Sequence, residues 1–296
     1  MRDGQEDRQF LQQEAERVQT MRGYKQVIEL KKNLDAQVLR VFEAIHAARQ
    51  AQTDPNKYQE ILAAYPSQDS SNDDTQDWRP PKTARQRQQE QKQQASIVTK
   101  ALRHQLGFTL RTGPSTIPTA GKGVFIEGKA RIGTLLAFYP GLVYLPEHLK
   151  THEDIAQLSP DPDFMLFSRY DKVVIDSRAA EQQPKNEYAL AHLCNHGPPN
   201  VMALAYNFPQ DPLGLDGFPQ ELRPYIPNSY AKPRTLLGNP DQSALIQTVA
   251  LVAATDIDEG EELILNYRLN PKHGKEKLPP WYKPVEVEED ERRWSL

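Results

Sequence analysis

Four short segments carry residue types and spacings that could do chemistry. The first is Ala120-Gly121-Lys122-Gly123-Val124-Phe125, in which two glycines precede an apolar run. Glycine reaches backbone conformations closed to other residues and lets a ligand approach the main chain closely. Taken alone, the segment is also an ordinary β-turn. It is not a dinucleotide fingerprint, since no strand precedes it and no G-x-G-x-x-G is completed, and it is not a P-loop. The second segment, Phe138-Tyr139-Pro140-Gly141, is a turn between two apolar runs that opens on a tyrosine; alone it is a plain hairpin. The third, Leu193-Cys194-Asn195-His196-Gly197-Pro198-Pro199-Asn200, combines Asn, His, Gly and two prolines in a rigid loop ahead of a strand. It is a structural turn or a binding loop, and a poor metal site, because no second ligand stands at zinc-like spacing. In the fourth, Asp256-Ile257-Asp258-Glu259-Gly260-Glu261-Glu262-Leu263-Ile264-Leu265-Asn266-Tyr267, an acidic turn passes through Gly260 into a strand that delivers a tyrosine near its end. In isolation this too is an ordinary turn and strand.

The elements that must position these segments are short. From Thr112 onward apolar runs alternate with Gly and Pro, which predicts strands at Gly123–Ile126, Leu135–Tyr139, Leu142–Leu145, Lys172–Ile175, Val201–Tyr206, Gln247–Ala253 and Leu263–Tyr267. Their close spacing, without long helices between them, argues for a β-rich domain rather than a parallel α/β sheet. The run Val249–Ala254 is apolar throughout, as in a strand buried on both faces. Upstream the pattern is helical. Val27, Leu30, Leu34, Val38, Val41 and Ile45 form one amphipathic stripe, and Ile97, Val98, Ala101, Leu102 and Leu106 form another that ends at a C-cap glycine, Gly107. Between the two, Ser67–Gln94 is polar and proline-interrupted, with too little apolar surface to offset ordering. The expected organisation is a helical accessory region over 1–66, a disordered linker over 67–94, a β-rich domain with a short leading helix over 95–270 and a tail over 271–296. The helical region is a packing element or a helix-mediated contact for a partner.

Composition narrows the function. A net charge of -4 and a pI near 6.0 argue against bulk nucleic-acid binding. No run of roughly eighteen apolar residues exists to span a membrane. The first residues carry Asp3, Glu6, Asp7, Glu14 and Glu16 and no apolar core, unlike a secretory signal, so an intracellular location, nucleus or cytoplasm, is expected. The single cysteine, Cys194, makes neither an internal disulfide nor a Cys-rich zinc cluster; it is expected as a small buried apolar residue, and no metal is assigned. His148 and His152 stand one helical turn apart beside Glu147 and Glu153, as on an exposed polar face.

Taken together and in this order, the segments resemble the SET domain: Gly-x-Gly-Val-Phe, then Tyr-x-Gly, then Asn-His with a trailing Pro-Asn, then Gly-Glu-Glu-Leu ending in Tyr. The resemblance covers Ala120 to Tyr267 and extends to Val173-Val174-Ile175-Asp176. Within the family it is nearest to the small SET-domain-containing protein nine group. The shared features are the Ala-Gly-Lys-Gly-Val-Phe opening, Phe218-Pro219-Gln220-Glu221-Leu222 with Tyr225-Ile226-Pro227-Asn228, and the Val249–Ala253 strand. The resemblance implies an α+β, β-rich fold of several small sheets, with the Asn-His loop embracing the terminal segment in a pseudoknot. It implies S-adenosylmethionine as cofactor and a lysine of a protein or peptide as methyl acceptor. It implies cofactor contacts at Lys122, Gly123, Val124, Phe125, Asn195, His196 and Tyr267, and catalytic positions at Tyr267, beside the transferred methyl, and Tyr139, lining the lysine channel. The alternative is a catalytically silent SET-fold protein that serves as a binding module.

Such a site suits the chemistry. A lysine amine has a reference pKa of ~10.4 and is nucleophilic only when neutral. A narrow aromatic channel and a nearby sulfonium both disfavour the ammonium, so no dedicated base is required. Two departures from the family pattern stand out. The Asn-His loop is one residue shorter than usual, and no Cys cluster follows the domain. A channel wall must then come from elsewhere, with Trp281, Tyr282 and Trp294 as candidates beside the acidic run Glu286–Glu291.

Overall fold

The computed structural model describes residues 24–64, 97–146, 166–169, 171–179, 185–208, 217–231, 246–269 and 281–288. The fold is α+β: helices lead, and a strand-rich region made of several small sheets follows. Helix α1 spans Tyr24–Thr53 and α2 spans Pro55–Ala64. Pro55 opens α2 where its missing N–H is no loss, and the Asp54 carboxylate caps the turn by accepting from the Asn56 N–H at 2.9 Å. Helix α3, residues 97–106, stops at Gly107, whose φ of 84° supplies the left-handed cap expected there. The chain divides into two compact units, 1–43 and 44–296. Within the second unit, the end of α1 is tied to the β-rich region. Arg49 pairs with Glu187, and His46 Nδ1 hydrogen bonds with the Tyr225 hydroxyl at 3.2 Å. The expected linker 67–94, His148 and His152, and Trp294 lie outside the described residues.

Three small sheets follow. Strands β1 (Phe108–Pro114) and β2 (Lys122–Gly128) pair antiparallel, with Gly113 opposite Gly123. A second sheet runs β10-β7-β9-β3, where β3 is Leu135–Phe138, β7 Asn195–Asn207, β9 Gln247–Ala253 and β10 Ile264–Leu265. The third runs β5-β6-β4-β8, with β4 Gly141–Tyr144, β5 Leu166–Ser168, β6 Val174–Asp176 and β8 Asn228–Tyr230. Strand β9 lies inside its sheet, and Thr248–Ala253 are all buried, as its unbroken apolar run predicts. Arg169 is buried between sheets; its guanidinium donates to the Tyr206 and Thr248 carbonyls at 3.0 and 2.8 Å and pairs with Asp171 at 2.7 Å.

Two expectations change. The Asn-His segment is extended backbone at the start of β7 rather than a loop ahead of it. Against β10, Ile264 is level with Asn195 and the next residue, Leu265, with Val201. A single step on β10 therefore spans the whole of 195–201, and residues 196–200 arch out of the ladder. The prolines make this tolerable, since an arched segment has no ladder bonds for them to lose. The strand expected over Leu263–Tyr267 shrinks to Ile264–Leu265: on one flank the Leu263 N–H donates to the Val124 carbonyl of β2, and on the other the Tyr267 N–H donates to His196 Nδ1.

Candidate functional site

Glu262 organises one half of the site. It is only 6 % exposed, and its carboxylate accepts four hydrogen bonds: from Ser115 Oγ at 2.7 Å, Thr116 N at 2.6 Å, Thr116 Oγ1 at 2.5 Å and Asn195 Nδ2 at 3.0 Å. Burial opposes its ionisation, yet the bonds from Thr116, Asn195 and Ser115 outweigh it and hold the carboxyl below its usual range. A methyl group at Gly123 would overlap this carboxylate, so the second glycine of Gly-x-Gly is required by a close approach of Glu262. The other N–H of the Asn195 amide donates to the Lys122 carbonyl at 2.9 Å. With both N–H groups directed at acceptors, the amide cannot be flipped without setting oxygen against oxygen. Its carbonyl oxygen is thus the part left to accept from a ligand.

The arch carries the other half. Asn200 clamps the terminal segment with both ends of its amide: Nδ2 donates to the Glu262 carbonyl and Oδ1 accepts from the Ile264 N–H, each at 2.8 Å. Gly197 lies where a side chain would press on Ile264 and Ile117. His196 Nδ1 accepts from the Tyr267 N–H at 3.2 Å, which fixes the proton on Nε2, and Nε2 donates to the Lys283 carbonyl at 2.8 Å. Its ring stacks on Tyr282, with centroids 4.4 Å apart and planes 21° from parallel. The tail is fastened further by the Leu269 N–H donating to the Tyr282 hydroxyl at 3.0 Å and by Glu286, which pairs with Arg268 at 2.8 Å. Trp281 stands edge-on to Tyr267 at 6.2 Å and is 48 % exposed.

The Tyr267 hydroxyl donates to the Cys194 carbonyl at 2.9 Å. Burial first, then Cys194 and Tyr139 nearby, push its pKa up, so the hydroxyl stays protonated. Cys194 is buried as expected; burial and then the Glu262 charge push its thiol up, which makes it inert. Tyr139 is 4 % exposed, its ring 5.3 Å from Phe167 and 6.3 Å, edge-on, from His192. Burial lowers the His192 pKa to about 4, and its Nδ1 is sealed from water with no partner.

The expected site residues thus converge around two contacts, Asn195 on Lys122 and His196 on Tyr267. Val124 and Phe125 are set apart: both side chains are buried, and the backbone of β2 bonds to β1 on one edge and to Glu261 and Leu263 on the other. The His196 ring gives both nitrogens to protein partners and so offers none to a ligand. Sequence reasoning missed Glu262, Ser115, Thr116, Asn200 and His192. A Ser-Thr pair ahead of Gly-x-Gly and an acidic residue after the second turn are the only signals for the first three, and spacing alone does not show which acid turns inward. Among the described residues no group of three or more His, Cys, Asp or Glu could hold a metal ion, and no helix is long and apolar enough to cross a membrane.

No protein-family profile matches the chain. It is similar to SET domain-containing protein 9 of Homo sapiens, 27% identical over 194 residues that cover 55% of this chain and 58% of that protein. SET domain-containing protein 9 of Pongo abelii is likewise 27% identical over 194 residues, covering 55% of this chain and 64% of its own length. The chain therefore spans about three fifths of the curated relatives it matches. Two solved structures superpose on part of it: ctPRC2 in an autoinhibited conformation bound to S-adenosylmethionine, with a TM-score of 0.31, 17% identity, and 56% of this chain and 16% of that one covered. The other is a humanized mutant of the Chaetomium thermophilum Polycomb Repressive Complex 2 bound to the inhibitor GSK343, with a TM-score of 0.32, 16% identity, and 54% and 15% covered. The resemblance to SET-domain proteins that the motifs carry is the one the curated relatives carry, and the strand-rich α+β architecture with leading helices is the one it implies.

Proposed function

We propose that this chain transfers a methyl group from S-adenosylmethionine to the ε-amine of a protein lysine. The observation that carries the reading is the meeting of segments far apart in sequence: the Asn195 amide on the Lys122 carbonyl, and the His196 ring on the N–H of Tyr267. The residues present suit the cofactor. The Asn195 carbonyl oxygen is oriented to accept from an ammonium or amine, and a buried carboxylate suits a cation. When bound, S-adenosylmethionine supplies an electrophilic methyl on a sulfonium.

The chain's own residues do the remainder. Tyr139, Phe167 and Tyr267 provide an aromatic, poorly hydrated lining that disfavours a lysine ammonium. With its proton committed to the Cys194 carbonyl, the Tyr267 hydroxyl is held in one orientation beside the incoming amine and helps to align it. Trp281 and Tyr282 take the place of a metal-bound wall and exclude water from that side. The fixed tautomer of His196 holds the backbone of Tyr267 in register with the tail.

A second reading, a SET-fold binding module without methyl transfer, is favoured by one observation: the space beside Gly123 already holds the Glu262 carboxylate. Titrating the 296-residue protein with S-adenosylmethionine by calorimetry separates the two. Saturable heat, with labelled methyl appearing on lysine in a lysine-rich peptide library, supports transfer. An absence of heat at about 1 mM cofactor, an affinity weaker than ~4 kcal/mol, leaves only the binding module.

A further inference from the structure

Among the described residues Glu262 has no cation for a partner. Its four hydrogen bonds come from two hydroxyls, one backbone N–H and one amide, all neutral, and no ion pair among the described residues reaches it. Neutral donors solvate a carboxylate and keep it ionised without cancelling its charge. Lys122, next to Gly123 in the chain, is exposed, and its carbonyl rather than its ammonium faces Asn195, while Arg268 pairs with Glu286. The site thus contains a fixed negative charge in a largely water-excluded place. It lies against Gly123, shares an oxygen with the Asn195 amide and acts on Cys194, whose carbonyl holds Tyr267.

We infer that Glu262 is a positioning and charge-selecting residue. It orients the Asn195 amide with its oxygen outward, and its uncompensated charge favours a sulfonium ligand over the neutral thioether that remains after transfer. The inference rests on the reading above, and the charge arithmetic is that of the reaction. When the S–CH3 bond breaks and the N–CH3 bond forms, the positive charge leaves sulfur with the methyl and appears on the lysine nitrogen, which then releases a proton. S-adenosylhomocysteine is thereby one positive charge poorer than S-adenosylmethionine, while the amino-acid and adenosine parts of the two are the same. A fixed anion nearby discriminates between them by that charge alone and speeds exchange of product for fresh cofactor.

The experiment compares calorimetric affinities for S-adenosylmethionine and S-adenosylhomocysteine at low ionic strength in the full chain. Glu262→Gln should weaken the sulfonium about tenfold and the thioether no more than about threefold, so the ratio of affinities falls. Lys122→Glu keeps the backbone carbonyl, adds a negative charge on the same segment and is exposed, so it folds; it should raise the ratio about twofold. Ser115→Ala loosens the same carboxylate but leaves its charge, and should weaken both ligands alike with the ratio unchanged. Equal weakening of both ligands by Glu262→Gln, or a ratio unmoved by Lys122→Glu, overturns the inference while the methyltransferase reading stands. If Glu262→Gln does not fold, the Lys122→Glu ratio decides. Failure of the unaltered protein to bind either ligand overturns both.

Discussion

Replacing Asn200 by Ala removes the clamp that holds the terminal segment under the arch. The amide makes two hydrogen bonds of 2.8 Å, one to the Glu262 carbonyl and one from the Ile264 N–H. Both are part-buried backbone groups, and water does not fully replace the lost partner. An orphaned group of this kind costs about 1–3 kcal/mol, and partial hydration puts each in the lower half of that range, for a total of about 3 kcal/mol. For a domain of ~150–250 residues each kcal/mol shifts Tm by ~2–4 °C, so melting followed by circular dichroism should fall by roughly 6–12 °C. Asn200→Asp divides the loss. Its carboxylate still accepts from Ile264 N but confronts the Glu262 carbonyl, and protonation in acid restores a donor, so its deficit relative to the unaltered protein should shrink as pH falls toward ~4. Cofactor affinity should drop further than stability explains, because the clamped segment leads directly to Tyr267. An Asn200→Ala protein that melts within about 1 °C of the unaltered one would show that the arch is held by something other than this amide.

Other outcomes follow from the same contacts. Tyr267→Phe deletes one hydrogen bond, to the Cys194 carbonyl, and should cost about 1 kcal/mol of stability while most methyl transfer is lost; single-turnover transfer at saturating cofactor measures it, and unchanged turnover removes the hydroxyl from the mechanism. His192 is held neutral when folded, with a pKa lowered to about 4 from 6.5, so the unfolded chain binds the extra proton first. Its contribution is therefore complete above pH ~6.5 and lost as pH falls toward ~4, at most about 3 kcal/mol, and His192→Asn should flatten that part of a urea-denaturation pH profile. A slope that survives the substitution assigns the effect to other groups. Gly141→Ala should destabilise by several kcal/mol, since φ is 129° and the added methyl meets the Asp176 backbone; urea melts at neutral pH test this.

Much of the fold is legible in the chain. The apolar run at β9, the cap at Gly107 and the strand after Gly-x-Gly all sit where pattern and turn chemistry put them. Strand β1 escaped notice because its alternation is short, with Phe108 and Leu110 as its only apolar members before Gly113 and Pro114; it is defined by its partner, with Arg111 lying over the Phe125 ring at 4.6 Å, and not by itself. The Asn-His segment misleads for a related reason. Two prolines read locally as a loop, but the extended backbone they accept is set by the segment that pairs at either end. At the site the identities of Tyr139, Asn195, His196 and Tyr267 were legible as a motif, and their division of labour was not. That the His196 ring bonds and stacks within the protein depends on Lys283 and Tyr282, and that Gly123 makes room for Glu262 depends on a residue far along the chain. Long-range contacts of this kind leave no local trace.

The docked tail has a dynamic consequence. Its hold on His196, Asn266 and Leu269 includes one ring stack and three hydrogen bonds, with an ion pair from Glu286 to Arg268 at the margin. Contacts of these types sum to about 2–4 kcal/mol. At ~3 kcal/mol the undocked form is populated at roughly one molecule in two hundred, and loop motions of this size run in nanoseconds to microseconds. A wall stitched by metal exchanges as slowly as its metal. One held by contacts of this strength opens without any ligand exchange at a metal, and a ligand that adds a contact to Trp281 lowers the undocked population about tenfold for each ~1.4 kcal/mol the contact supplies.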